Sequence, residues 1–320
     1  MKKGVLVALL LTLIMTVFQC QRGNDSKNQG PRIALVLKTL NNPFFIDLQN
    51  GAVAAAEQLG LDLVVQAPER EVDVEKQMQI MENLIQAKVS VICVTPSGSR
   101  EIIPAIVKAN QAGIPIIIVD TGVDSLTLAE SGGFISSFIG SDNFEGGVIA
   151  GQYIAEKLGG KGNIAILEGV PGHETGDTRL RGFHQAIRQS PGLVVLSSQT
   201  ANFERDQGYN VFQNMLQSFP QIEALFACND MMALGAVEAI SLAKRTNSLL
   251  VIGFDAVEDA KDAIRDGRMA ASIAQHPSEM GRKAIESAAL IIKGEKIPGK
   301  IPVSIDLVTK DNVGSAGTTQ

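Results

Sequence analysis

Residues 32–59 read RIALVLKTLNNPFFIDLQNGAVAAAEQL, and the fold follows from how this stretch divides. A strand is expected at 32–37, where residues 33–37 are apolar at consecutive positions after Arg32. A strand reads this way when both faces of its sheet are covered, the condition of a parallel sheet. Asn42 then offers an N-cap side chain, and Pro43 sits at a first helical position that needs no N–H donor. A helix over 43–59 follows.

The same alternation runs outward from this unit. Strands are expected at 61–66, 89–94 and 115–119, with helices at 73–86 and 100–112 between them. A Gly/Ser-rich segment, 131–140, interrupts the pattern, which then restarts. Helices are expected at 144–158, 177–189, 204–218, 231–243, 257–266 and 278–292. Strands are expected at 163–167, 193–198, 224–228, 249–253, 271–274 and 303–308. Strands alternating with helices at this spacing build right-handed βαβ units. Two such halves in 320 residues give the expected fold class: α/β, with two doubly wound parallel-sheet lobes.

Composition narrows the function. Lys and Arg total 28 against 34 Asp and Glu, a net charge of −6, and no basic stretch after the N-terminus could follow a phosphate backbone, so nucleic acid is excluded as a partner. There is no Trp, and two Tyr stand against twelve Phe, so Phe supplies nearly all the aromatic surface for a ligand. The three His are scattered, and no His or Cys spacing suits a metal; neither metal nor cofactor is expected. Cys93 and Cys228 end apolar runs and read as buried small hydrophobes, unpaired with each other.

The first residues read as a processing signal. Lys2 and Lys3 precede an uncharged apolar run, 4–18, too short to span a bilayer comfortably. Cys20 follows, then a polar tether over 21–30. The arrangement resembles a bacterial lipoprotein signal, with Cys20 as the lipid-acylated first residue, although Val17, Phe18 and Gln19 stand where small residues are usual. Residues 312–320 read as a frayed tail.

In open α/β sheets ligands bind beyond the carboxyl ends of the strands. Short polar residues occupy several of those ends: Asp120, Asn229 with Asp230, Asp255 and Gln275, while Asn41, Asn42, Phe44 and Phe45 follow the first strand. Carboxylates accept from adjacent hydroxyls and amides both donate and accept, while Phe rings cover C–H faces. The set suits a polyhydroxylated ligand better than an anionic one. Each residue also has a plainer role: Asn42 and Asp230 as N-caps, the role favoured for Asp230, and Phe44 and Phe45 as core.

The segments 39–45 (TLNNPFF), 116–120 (IIIVD), 226–235 (FACNDMMALG), 251–255 (VIGFD) and 273–275 (IAQ) resemble those of ribose-type periplasmic binding proteins, in order and in spacing, from about Arg32 to about Lys310. The resemblance implies the type I fold, two lobes that close like a flytrap on a three-segment hinge near Gly140, Gln275 and Ser304. It divides the chain into a signal peptide, 1–20; a tether, 21–30; an N-terminal lobe, 31–140 plus 276–304; a C-terminal lobe, 141–275 plus 305–311; and the tail. It also implies a monomer that is no enzyme, captures a small sugar or polyol, and delivers it to an ABC transporter permease, or shows its closed form to a chemoreceptor. By position, Asn42, Asp120, Asn229, Asp255 and Gln275 are implied to bind hydroxyls. Phe44, Phe45 and Phe203 are implied to sandwich the ring, with Phe254 adding wall. Three positions depart from the ribose pattern: Thr95 replaces Asn, Thr121 replaces Arg, and Asp177 falls where another Arg is expected. A hexose, a polyol or an amino sugar paired with Asp177 is therefore expected to suit the site better than ribose. Arg179 is read as a structural partner of an acidic neighbour.

Other classes fit less well. A repressor-type effector core of the same fold needs a DNA-reading helix-turn-helix where the signal sequence stands. A dehydrogenase needs a G-x-G-x-x-G turn after a strand, whereas Gly159, Gly160 and Gly162 precede one. A hydrolase needs a G-x-S-x-G elbow, which is missing; Ser97 and Ser99 read as a polar loop near the cleft.

Overall fold

The computed structural model describes residues 30–246 and 248–314. The signal, Cys20 and nearly all of the tether lie outside the described residues, as does the end of the tail.

The first half contains β1 (Arg32–Val36), α1 (Pro43–Leu59), β2 (Asp62–Gln66), α2 (Val74–Gln86), β3 (Val91–Val94), α3 (Ile103–Gln111), β4 (Ile116–Val119), α4 (Ser125–Glu130) and β5 (Ser137–Gly140). The second contains α5 (Asn143–Lys157), β6 (Lys161–Glu168), α6 (Glu174–Ile187), β7 (Gly192–Thr200), α7 (Arg205–Ser218), β8 (Ala224–Ala227) and α8 (Asp230–Leu242). It continues with β9 (Leu250–Asp255), α9 (Glu258–Arg265), β10 (Ala271–Ala274), α10 (Pro277–Ile292), β11 (Lys300–Pro302) and β12 (Asp306–Thr309).

Two six-stranded sheets result, ordered β11-β5-β4-β3-β1-β2 and β12-β10-β9-β8-β6-β7. All pairings are parallel except β10 with β12. The chain passes between the sheets three times: after β5, after β10, and between β11 and β12. The Ser141 hydroxyl touches all three passages, approaching the carbonyls of Gln275 at 3.3 Å and Ser304 at 3.5 Å.

The continuous apolar runs are explained by two-sided burial. In the first sheet Ala34, Val36, Ile92, Val94, Ile116 and Ile118 face α2 and α3. Their neighbours Ile33, Leu35, Cys93, Ile117 and Val119 face the other way, onto α1 and α10. Each fully buried Leu or Ile contributes about 1.5–3 kcal/mol. Helices lie close on these faces because glycines meet backbone: a Cβ on Gly281 would stand 2.0 Å from the Leu48 carbonyl oxygen, and one on Gly182 would stand 2.0 Å from that of Phe144. The second contact seats α5 against α6, which fixes the depth of Arg179.

Several elements differ from the reading of the sequence, among them the short helix α4, which no expected element covers, and α3, which begins at Ile103 rather than at residue 100. The Gly/Ser-rich segment contains β5, four residues held by strands on both sides. The expected last strand, 303–308, spans the third passage, 303–305, and then β12, while the unexpected β11 just before it, Lys300–Pro302, joins the other sheet. Helix α6 begins at Glu174, three residues earlier than expected, which brings its first turn to the cleft. Cys93 and Cys228 are free and buried, and burial pushes both thiols up to about 12.

Candidate functional site

The carboxyl ends of both sheets open onto one cavity of about 270 Å³, measured out to its mouth. From the first lobe it is lined by Lys38, Asn42, Phe44, Phe45, Glu71 and Asp120. Thr175, Arg179, Phe203, Asn229, Asp255 and Gln275 line it from the second lobe and the passage after β10.

Strand ends and caps position these groups. Asn42 caps α1, its Oδ1 accepting from the Phe44 amide at 3.0 Å, while its amide donates to Glu71 at 2.9 Å. Asn229 caps α8 in the same way, accepting from Met232 at 2.9 Å and donating to the Phe203 carbonyl at 3.0 Å. Both are caps and lining at once. Asp230 is no cap: its carboxylate accepts from the Val257 amide at 2.9 Å and the Ser272 hydroxyl at 2.7 Å, which ties down the turn after β9.

Three lining residues lie on left-handed backbone, Asp120 at φ 63°, Phe203 at 64° and Asp255 at 116°. Such conformations cost on the order of 1–3 kcal/mol each and survive where packing imposes them.

The charges are buried and only partly matched. Lys38 Nζ stands 4.0 Å from Asp120 Oδ2 and lies over the rings of Phe45 and Phe203. Thr121 donates to Asp120 Oδ2 at 2.8 Å, while Oδ1 has no hydrogen-bond partner. Arg179 donates to Asn143 at 2.8 Å and to the Cys228 carbonyl at 2.6 Å, and stands 3.8 Å from Asp255. Its guanidinium lies 3.8 Å over the Phe254 ring. Gln275 donates to Asp255 at 2.7 Å and leaves its own Oε1 unpartnered. Burial pushes the Lys38 ammonium down, with Asp120 and Glu71 opposing. It lifts the carboxyls of Glu71 and Asp255.

Of the residues singled out in the sequence, Asn42, Phe44, Phe45, Asp120, Phe203, Asn229, Asp255 and Gln275 come together in this cavity. Thr121 stands behind Asp120. Thr95 is buried near the cleft with its hydroxyl unpartnered, and its carbonyl accepts from Gln77 at 2.9 Å. Phe254 is wholly buried beneath Arg179 rather than lining the wall. Asp177 is exposed and away from the cavity. Thr175 and Arg179 are one turn apart on α6 and share its inner face, so the residue midway between them faces outward. Arg179 meets the acidic neighbour expected of it, Asp255, and lines the cavity as well.

Lys38, Glu71 and Thr175 are lining residues that sequence reasoning missed. Lys38 stands two residues beyond the end of β1, the same strand-edge rule that marked Asp120. Glu71 lies in a loop whose spacing carries no signal. Among the described residues no group of three or more His, Cys, Asp or Glu could hold a metal ion, and no helix is long and apolar enough to cross a membrane.

Residues 33–296 match the family model of the periplasmic binding protein domain. The ribose import binding protein of Escherichia coli is 38% identical over 301 residues, covering 94% of this chain and 98% of that protein. The D-allose-binding periplasmic protein of the same organism is 32% identical over 271 residues, 84% of this chain and 86% of that one. A periplasmic solute-binding protein of an ABC transporter from Actinobacillus succinogenes, solved with bound D-allose, superposes with a TM-score of 0.85 at 39% identity, covering 89% of this chain and 99% of that one.

Proposed function

The chain belongs to the periplasmic binding protein domain family, and from that premise we propose that it captures a monosaccharide or related polyol between its lobes and delivers it to the permease of an ABC transporter. The observation that carries this is the convergence of Asp120, Asp255 and Gln275 from both lobes on one cavity, with two acceptor oxygens unspent and Phe rings beside them. Asn42, Asp120, Asn229, Asp255 and Gln275 take the hydroxyls, and Phe44, Phe45 and Phe203 cover the C–H faces. Lys38 and Arg179 join them as donors. The relatives' ligands, ribose and D-allose, give the class.

The mechanism is hinge closure with no chemistry on the sugar. An open form exposes both half-sites, and a ligand that bridges them favours the closed form by its greater affinity for it. A hexose or polyol is preferred to ribose, given Thr95 and Thr121. An amino sugar is not, because Asp177 faces away and two cations line the cavity. The protein is exported, with Cys20 acylated as its membrane tether, and works as a monomer. Presentation of the closed form to a chemoreceptor is the second use of the same surface.

A thermal-shift screen of the soluble chain from Asn28 onward tests the class. A sugar present at about a thousand times its dissociation constant adds roughly 4 kcal/mol of stability, a shift of several degrees. A cooperative melt that no pentose, hexose or polyol moves overturns the sugar reading.

A further inference from the structure

Outside the cavity the lobes touch at the first turn of α6. His173 Nε2 lies 3.1 Å from the carbonyl of Ser97, in the loop after β3. The Glu174 amide donates to Ser99 Oγ at 3.1 Å, and the Gly122 amide donates to the Glu174 carboxylate at 3.3 Å. Two adjacent residues of the second lobe thus hold two loops of the first. Both ends are stiff. Ser97 is fixed by buried Gln77, whose Oε1 accepts from the Ser97 amide at 2.7 Å while its amide donates to the carbonyls of Leu37 and Thr95. Glu174 is held by the Thr178 hydroxyl at 3.1 Å.

His173 is buried between the lobes. Because Nε2 faces a carbonyl it carries the proton, and Nδ1, 3.2 Å from the Thr175 hydroxyl, accepts. The groups around the ring are Lys38 from the loop after β1, Arg179 further along α6, the carbonyls of Pro96 and Ser97, and the edge-on ring of Phe203. Glu174, the adjacent carboxylate, is turned to Gly122. A second proton on His173 therefore places a third positive charge near Lys38 and Arg179, away from water. Burial and these cations hold the closed-form imidazole well below its ordinary range.

We propose that His173 and Glu174 form a latch between the lobes, in which a neutral His173 ring clasps the Ser97 carbonyl, so that closure, and with it affinity for any ligand, weakens in acid. When the lobes part, His173 loses Ser97 and meets water, and its proton affinity returns to about the ordinary value near 6.5. Closing from that protonated state releases one proton, so affinity falls up to about tenfold per pH unit below it and is flat above about pH 7.5. The latch lies outside the cavity, so it acts on all ligands alike.

This inference rests on the sugar reading, and its test is the dissociation constant of one sugar at pH 5.5, 6.5 and 7.5 for wild type, His173→Gln and Glu174→Ala. Wild type is expected to bind about tenfold more weakly at pH 5.5 than at 7.5. In His173→Gln, whose amide still reaches the Ser97 carbonyl, most of that fall disappears. Any slope left in it reports the buried carboxyls Asp255 and Glu71 and the Lys38 ammonium. Glu174→Ala weakens binding about three- to tenfold at every pH with the wild-type slope retained. Equal pH profiles for wild type and His173→Gln overturn the latch. Absence of binding in all three proteins at every pH counts against the sugar site itself.

Discussion

Lys38 and Asp120, at the ends of β1 and β4, face each other across 4.0 Å inside the cavity. That distance is too long for a hydrogen bond, and the ammonium makes none elsewhere beyond its approach to two Phe rings. Thr121 holds one oxygen of Asp120 and leaves the other free. A ligand hydroxyl seated here can accept from the ammonium and donate to the carboxylate at once, which water-exposed charges could not offer as selectively. Replacing Lys38 with Met removes the donor and keeps the bulk against Phe45 and Phe203. The expected outcome is a loss of about 1–3 kcal/mol in ligand affinity, read by calorimetry as a roughly five- to 150-fold higher dissociation constant. Unchanged affinity excludes Lys38 from the contact.

Asp255 receives Gln275 and stands beside Arg179. In Asp255→Ala the ligand hydroxyls lose their acceptor within a dry cleft, and Arg179 loses its nearest counter-charge. Binding weakens by about 1–3 kcal/mol, and because a specific hydroxyl is affected, the order of preference among epimers changes. A uniform loss across epimers would instead mark Asp255 as a support for Arg179.

Much of this was legible because strands buried on both faces announce themselves as unbroken apolar runs, and because strand ends name their polar residues directly. Helix α1 was read from its Asn42 cap and Pro43 to the residue. What escaped were features decided by tertiary partners. The four residues of β5 carry no periodicity of their own and exist as a strand because β4 and β11 flank them. Asp177 was misplaced because alignment by position ignored helical phase: Thr175 and Arg179 face inward, and the residue between cannot. Nothing in the sequence marks Lys38 as buried, because a lysine past a strand end reads as solvated surface until its partners are placed around it.

Asp230 gives a prediction about stability and pH. It is wholly buried, and burial lifts its carboxyl from 3.8 to about 7 despite the donors Ser272 and Val257. A carboxyl raised in the folded state keeps a proton that the unfolded chain has already released, so its stabilising contribution is complete below the unfolded value and is lost as pH rises through about 7. Asp255, lifted in the same sense by burial, acts in the same direction. Between pH 5 and pH 8 the ligand-free protein is expected to lose stability, by at most on the order of 1.4 kcal/mol per pH unit for each group. Asp230→Asn flattens that fall. A melting temperature that climbs over this range, or an unaltered slope in the variant, refutes the assignment.

Gly169 tests whether the Phe203 ring shapes the cavity. The ring is pinched between Gly169 and Gly176: a Cβ on Gly169 would stand 2.1 Å from its Cζ, and one on Gly176 would stand 3.2 Å from the same atom. Phe203 itself sits on left-handed backbone, so the ring cannot retreat by a small backbone shift without further strain. Gly169→Ala must therefore displace a ring that lines the cavity. The expected result is a protein that folds with about 1–3 kcal/mol less stability from overpacking and binds its sugar more weakly than that strain alone explains. Combining it with Phe203→Leu distinguishes the two effects. If the ring transmits the loss of affinity, the double variant binds no worse than Phe203→Leu alone, a non-additivity expected of residues in contact. Additive losses would mean that Gly169 acts through the backbone after β6 and that the Phe203 ring does not set the width of the cavity.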